Sequence, residues 1–134
     1  MLDASVVADA VAVSGTAGDL ARRLVASETR LHVPAILVPE VTSALRGMVR
    51  RGLLEAGDAR AAAIRAAGLR SRRYSFEPFL DRTWELRENL ATYDAWYVAL
   101  AESLNAPLVT ADDRLRRATG PRCPVLTPDE ATAE

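Results

Sequence analysis

The chain has 134 residues, of which 49% are hydrophobic and 26% charged, and its formal net charge is −1. This length and composition are typical of one compact domain, so we expect a single domain over residues 1–134. No apolar run approaches the roughly 20 residues that cross a bilayer, and we expect a cytoplasmic protein without membrane attachment. Cys123 is the only cysteine, which excludes an internal disulfide and a thiolate metal cage. Lysine is absent, which excludes phosphate loops and phosphotransfer folds that depend on it.

The first half of the chain predicts short strands separated by helices. The opening MLDASVV predicts a strand that ends near Asp3, and residues 16–26 place apolar side chains at helical spacing. A second strand over 31–34 precedes a helix that has Pro39 in its first turn and carries an apolar stripe at positions i, i+4, i+7 and i+8 from Val41. The alanine-rich residues 55–69 predict a further helix, whose small side chains allow close packing.

The second half continues this alternation. In chain order, the pattern predicts a strand over 73–76, a helix from Pro78 to Asn89, a helix over 93–104 capped by Thr92, a strand over 107–110, a short helix over 114–118 and a strand over 124–126. Such alternation is typical of an α/β fold, here a three-layer α/β/α sandwich with a mainly parallel central sheet. Ligands of these folds bind at the carboxyl ends of the strands, where Asp3 and Asp112 lie.

Four acidic residues lie far apart in the chain, each at the edge of an apolar run: Asp3, Glu40, Asp94 and Asp112. Each has a structural explanation of its own, because such acids cap turns and helices or complement the helix dipole. Together they would occupy one edge of the sandwich, where crowded carboxylates require protons or cations. Oxygen ligands of this kind suit Mg²⁺, which can activate a bound water toward a phosphodiester.

Three neighbouring residues are candidates to support these acids. Ser5 and Thr110 each lie two residues from one of the aspartates, on the same face of the predicted strands. Their hydroxyls would hydrogen-bond a carboxylate or a water on the metal. Asp113 follows Asp112, and either could face the cleft. We favour Asp112, because it comes directly off the strand and leaves Asp113 to begin the next helix.

Glu102 is a second acid on the helix that carries Asp94, and it is the next candidate for a metal ligand. It lies eight residues after Asp94, about 12 Å along a helix axis, which is too far to share a metal ion. A nearby arginine as its partner, a supporting position behind the site and a plain surface position are all compatible with the sequence.

The arginines are concentrated in one part of the chain. Residues 46–73 contain eight arginines and two acidic residues, a net charge of +6, so the remainder carries −7. A basic flank beside an acidic cleft suits a polyanion that is attracted by arginines and cut at carboxylates. A solvated helical surface explains the same arginines without any ligand.

The segment YDAWYVALAESLNAPLVTADDRL resembles the most specific motif of PIN-domain ribonucleases, and in particular of VapC-type toxins from toxin–antitoxin pairs. That motif has Tyr-Asp-Ala, an Ala-Leu-Ala-Glu helix, a strand and Thr-x-Asp-x-Arg-Leu. The opening LDASVV and the segment PEVTSALR are similar to the family's first aspartate motif and its glutamate-bearing second helix. The resemblance covers nearly the whole chain.

By this resemblance the chain would be an endoribonuclease toxin that uses Mg²⁺ or Mn²⁺. The catalytic metal ligands would be Asp3, Glu40, Asp94 and Asp112, supported by Ser5, Thr110 and Asp113. Its partners would be RNA, a cognate antitoxin whose tail occupies a groove near the site, and a second copy in a homodimer. We expect the helices over 41–49 and 55–69 to present an apolar surface to the antitoxin or the second copy.

Two alternatives and one departure accompany the resemblance. A PIN nuclease that processes RNA without an antitoxin would share the motifs, as would a non-catalytic RNA- or protein-binding domain with a degenerate site. Family members generally carry a longer apolar strand before the first aspartate, whereas only Met1 and Leu2 precede Asp3 here. The strand is either truncated or continues past Asp3, so the height of Asp3 in the sheet stays open.

Overall fold

The computed structural model describes residues 1–133, which form eight α-helices and four short strands. The helices are α1 (Ala4–Ala12), α2 (Gly15–Ser27), α3 (Leu37–Arg50), α4 (Ala56–Gly68), α5 (Leu80–Glu85), α6 (Thr92–Ser103), α7 (Asp113–Arg117) and α8 (Pro128–Thr132). The strands are β1 (Leu31–Pro34), β2 (Ser71–Tyr74), β3 (Leu108–Val109) and β4 (Val125–Leu126), and a 3₁₀ turn over Glu77–Phe79 precedes α5. Within the described residues, no helix is both long and apolar enough to cross a membrane.

The strands pair in parallel, in two short ladders. One ladder joins β1 to β2 and the other joins β3 to β4. The segment before α1 extends the second ladder, because Leu2 bridges Val109 and the Asp3 N–H donates to the Val109 carbonyl. The predicted α/β fold with parallel strands is therefore confirmed, although its strands are only two to four residues long.

Helix packing fixes the positions from which site residues project. α1 packs against α2, α3 and α4, and α6 packs against α5, β1 and β3. Seven consecutive residues of α6, 95–101, are buried, so this helix crosses the core rather than lying on it. Because its whole circumference is packed, the position of Asp94 in its first turn is set by the core.

The extended segment at the start of the chain ends at Asp3, as predicted, but the helix that follows was not predicted. The apolar run after Asp3 does not continue the strand but forms α1, whose buried residues include Val6, Val7 and Ala10. Asp3 has extended backbone dihedral angles, and its side chain accepts hydrogen bonds from the Ser5 and Val6 N–H groups. An aspartate in that conformation is a strong helix N-cap, and it ends the strand at this point.

Two further predictions are corrected by the structure, and one more helix was not predicted. α6 has Ala91 at its N-cap position, so Thr92 is its first helical residue rather than its cap. β2 occupies 71–74 instead of 73–76, because it pairs residue for residue with β1. α8 was not predicted, although Thr127 and Glu130 form a capping box whose sequence signature is recognisable.

Candidate metal-binding site

Asp3 is held by hydrogen bonds on both carboxylate oxygens. Its side chain is buried, with only 6% exposed. Oδ1 accepts from the Ser5 N–H at 3.1 Å, the Ser5 hydroxyl at 2.5 Å and the Val6 N–H at 3.2 Å. Oδ2 accepts from the Thr110 hydroxyl at 2.5 Å. These contacts fix the orientation of a carboxylate at the junction of α1 and the second ladder.

Thr110 and Ser5 connect Asp3 to the start of α7. The Thr110 Oγ1 atom accepts from the Asp112 N–H at 3.0 Å, and the Ser5 Oγ atom accepts from the Ala111 N–H at 2.9 Å. Asp112 in turn caps α7 by accepting from the Arg114 N–H at 2.8 Å. The structure thus brings both predicted hydroxyls to Asp3, although Ser5 arrives from a helical turn and not from a strand.

Glu40 and Asp94 approach from the first turns of α3 and α6. Within residues 1–133, Glu40 Oε1 and the Tyr97 hydroxyl oxygen are both buried without a hydrogen-bond partner. Burial raises the pKa of the Glu40 carboxyl, and the nearby Tyr97 hydroxyl offsets part of that rise. Its geometry is not that of a full hydrogen bond. Sequence reasoning missed Tyr97, whose spacing of three residues from Asp94 places both on one face of α6.

Burial and mutual repulsion raise the pKa values of the acids. Burial is the largest cause for Asp3, Glu40 and Asp94, whose pKa values all lie above their ordinary values. Asp94 also raises the pKa values of Asp3 and Glu40, and Asp112 raises that of Asp94. The four predicted acids are therefore electrostatic neighbours, although they come from four separate parts of the chain.

The four acids are neighbours, and we call their shared surroundings the carboxylate cleft, but they do not form a closed cage. In the part of the chain that the structure describes, no three acidic, histidine or cysteine side chains converge as a metal-binding group. The donor set still suits a hard divalent cation, because it consists of oxygens and includes the unpartnered Glu40 Oε1. Mg²⁺ retains several waters and binds through one or two carboxylates, so three converged side chains are not required.

Two other acids lie outside this cleft. The Asp113 side chain is 80% exposed, and its carboxylate lies 4.0 Å from the Arg117 guanidinium on the surface of α7. Glu102 accepts two hydrogen bonds from Arg82, at 2.8 and 3.0 Å, and a third from the Arg122 N–H at 2.8 Å. Of the roles considered for Glu102, the structure shows the arginine partner.

Comparison with known proteins places this arrangement in a family. The PIN domain model matches residues 1–121. The chain belongs to the PIN-domain family. This PIN domain is 45% identical over 105 residues to ribonuclease VapC9 of Mycobacterium tuberculosis, covering 78% of the chain and 82% of that protein. It is 39% identical over 126 residues to ribonuclease VapC1 of the same organism, covering 93% of the chain and 94% of the relative.

Solved structures show the same fold at low sequence identity. PAE2754 from Pyrobaculum aerophilum superposes with a TM-score of 0.71 at 19% identity, over 98% of this chain and 85% of that one. VapC20 of Mycobacterium tuberculosis, described as a sarcin-ricin loop cleaving toxin, superposes with a TM-score of 0.59 at 18% identity, over 80% of this chain and 85% of that one. The predicted fold, family and enzyme class, a ribonuclease, are confirmed.

Proposed function

We propose that this PIN domain is a divalent-metal-dependent endoribonuclease that acts as the toxin of a toxin–antitoxin pair. Its metal, Mg²⁺ or Mn²⁺, would be held by the four acids of the cleft, Asp3, Glu40, Asp94 and Asp112. The observation that supports this most is geometric: the Ser5 and Thr110 hydroxyls orient the Asp3 carboxylate, and the buried Glu40 Oε1 has no hydrogen-bond partner within residues 1–133. A cap or a dipole partner does not need such a buried, unpartnered carboxylate oxygen, whereas a cation would bind it.

The residues of the chain would divide the work of this site. Ser5 and Thr110 hold the Asp3 carboxylate so that it cannot rotate away from the cleft. Glu40 Oε1 and the Tyr97 hydroxyl oxygen are buried atoms without a hydrogen-bond partner within residues 1–133, so both are available to bind a ligand. A divalent cation bound here would supply Lewis-acid activation of water and of the phosphodiester. This chemistry does not need a nucleophilic side chain.

Arginines beyond the cleft would position the RNA. α3 carries Glu40 in its first turn and Arg50 in its last, about 15 Å apart along the helix axis. Arg72 and Arg73 are exposed on β2, which pairs with β1 directly before α3. Arginines hold phosphates whatever the base order, so this surface would bind RNA without selecting a sequence.

We propose that protein partners bind at α3 and α4, which pack against each other. Leu53, which follows α3, and Ile64 on α4 are large hydrophobic residues that remain exposed. Exposed apolar groups mark interaction sites on many soluble proteins when they form a patch. An antitoxin or a second copy in a homodimer would cover them.

Incubating the purified protein with total cellular RNA tests the activity. New 5′ ends are mapped after reactions with Mg²⁺, Mn²⁺ or EDTA. We expect ends that require metal from the natural chain and from Asp113→Asn, and none from Asp94→Asn. Asp113→Asn is the matched control, because it removes the same charge at an exposed position of α7.

Two results would contradict the proposal. If no metal-dependent ends form, the chain is not a nuclease of this type, and if Asp94→Asn cuts as well as the natural chain, the cleft is not the active site. The antitoxin assignment is tested separately, by asking whether a small adjacent gene for a DNA-binding protein relieves growth arrest when co-expressed. Cleavage without such relief would favour an RNA-processing nuclease.

A further inference from the structure

A second groove, mainly apolar, lies beside the start of α6. It has a volume of about 490 Å³ and is lined by residues that include Phe76, Leu80, Thr83, Trp84 and Arg87. That volume lies within the range of small-molecule sites, roughly 300–1,000 Å³. None of the four acids of the cleft lines this groove, so it is a separate feature of the surface.

Trp84 is the most prominent side chain of the groove. Although tryptophan is usually well buried, 65% of Trp84 is exposed. The Arg87 guanidinium lies over its ring, 4.8 Å from the ring centroid. Together they present an aromatic plane and a cation to the solvent, an arrangement that stacks flat rings and attracts phosphate.

The inner wall of the groove carries a buried hydroxyl group that is available for hydrogen bonding. Thr83 is only 5% exposed, and its hydroxyl has no hydrogen-bond partner within residues 1–133. Phe76 completes this wall and packs edge-on against the buried Trp96, with ring centroids 5.1 Å apart. A ligand with one flat face and polar edge atoms would both cover the aromatic rings and offer Thr83 a partner.

The groove lies against the start of α6, the helix that carries Asp94. Ala91 and Thr92 line it and begin α6, and Asp94 follows in the same helical turn. Tyr93, an exposed aromatic residue between them, lines a neighbouring depression together with Glu40. A strand of RNA could therefore run from the acids over Tyr93 into the groove without leaving the surface.

We infer that this groove binds an unpaired nucleobase of the RNA, one that flanks the phosphodiester at the carboxylates. The inference rests on the proposed function. An RNA occupant is favoured over a protein because the groove combines a largely exposed tryptophan, a guanidinium over its ring and a position within one helical turn of Asp94. Stacking tolerates every base, so the groove would hold single-stranded RNA without reading its sequence.

Binding of a short fluorescent oligouridylate, measured by anisotropy in EDTA so that the RNA stays intact, tests this inference. We expect Trp84→Ala to weaken binding about 5- to 150-fold, the loss typical of one stacked base. Trp84→Phe should restore most of the affinity, since phenylalanine keeps an aromatic face. Arg87→Ala should also weaken binding, whereas Arg23→Ala, which removes an exposed arginine on α2, should not.

Fluorescence gives a second, direct readout. The chain has two tryptophans, and Trp96 is buried whereas Trp84 is exposed. Adding oligouridylate should quench the emission of the natural chain and leave that of Trp84→Phe unchanged. Thermal unfolding of each variant checks that it is folded, which we expect because Trp84 lies at the surface.

Three outcomes would overturn the inference. The first is unchanged RNA affinity in both Trp84→Ala and Arg87→Ala. The second is a shift from dimer to monomer in Trp84→Ala during sedimentation, because the groove would then be a protein interface. The third is equal quenching of the natural chain and Trp84→Phe. A different result would contradict the proposed nuclease function, namely that the natural chain shows no metal-dependent cleavage.

Discussion

Replacing Thr110 by valine tests whether hydroxyl contacts hold the first aspartate of the cleft in place. Valine keeps the branched shape of this fully buried side chain and removes Oγ1. That atom donates to Asp3 Oδ2 at 2.5 Å and accepts from the Asp112 N–H at 3.0 Å. A hydrogen bond to a charged group contributes about 1.5–3 kcal/mol and a neutral one about 0.5–1.5 kcal/mol.

We therefore expect Thr110→Val to lower the free energy of unfolding by about 2–4 kcal/mol. For a chain of this length, each kcal/mol changes the melting temperature by about 3–4 °C, so the melting temperature should fall by roughly 7–14 °C. Metal-dependent RNA cleavage should fall as well, because Asp3 Oδ2 would lose its hydrogen bond and the carboxylate would be held through Oδ1 alone. Urea unfolding in EDTA at pH 8 gives the free energy, and mapped 5′ ends give the activity.

Thr110→Ser is the matched control for this prediction. Serine keeps the hydroxyl and loses one buried methyl group, which costs about 1 kcal/mol. It should therefore retain cleavage and most of the stability. The reasoning is refuted if Thr110→Val unfolds within about 0.5 kcal/mol of the natural chain and cuts RNA normally. It is also refuted if Thr110→Ser loses as much stability as Thr110→Val.

Three further predictions concern charge and backbone. Burial raises the pKa of Asp94 from its ordinary value of 3.8, so its ionisation destabilises the metal-free protein increasingly as pH rises from about 4 through the raised pKa. Asp94→Asn should therefore have a higher melting temperature than the natural chain in EDTA at pH 8. Mg²⁺ should raise the melting temperature of the natural chain only. A melting temperature of the variant below that of the natural chain in EDTA would contradict this. Arg82→Ala leaves the Glu102 carboxylate without its bidentate partner and should cost about 2–4 kcal/mol in urea unfolding, an expectation that a loss below 0.5 kcal/mol would exclude. Gly120→Ala should cost more than 1 kcal/mol, because its φ of +107° is unfavourable for alanine and the added Cβ would lie 2.9 Å from Asn89 Nδ2; equal melting temperatures would rule this out.

The elements and the acids were predictable because their signals are local. The buried stripe of α3 and the long apolar helix α6 follow from side-chain spacing alone. Asp94 and Asp112 were predicted as site residues from a motif within about 20 consecutive residues. α1 was not predicted, because Val6 and Val7 favour strands in isolation, whereas the Asp3 cap and the packing of α1 on three other helices favour the helix.

The sequence by itself determined the family and the alternation of helices and strands, and it predicted acids at the edges of those elements as site residues. Only the tertiary structure decided which side chains meet. Thr110 reaches Asp3 across 107 positions of sequence, Asp113 turns to the surface beside Arg117, and Trp84 stays exposed. The physical reason is that periodicity and capping act within one helical turn, whereas the contact between Asp3 and Thr110 depends on how the start of the chain pairs with β3.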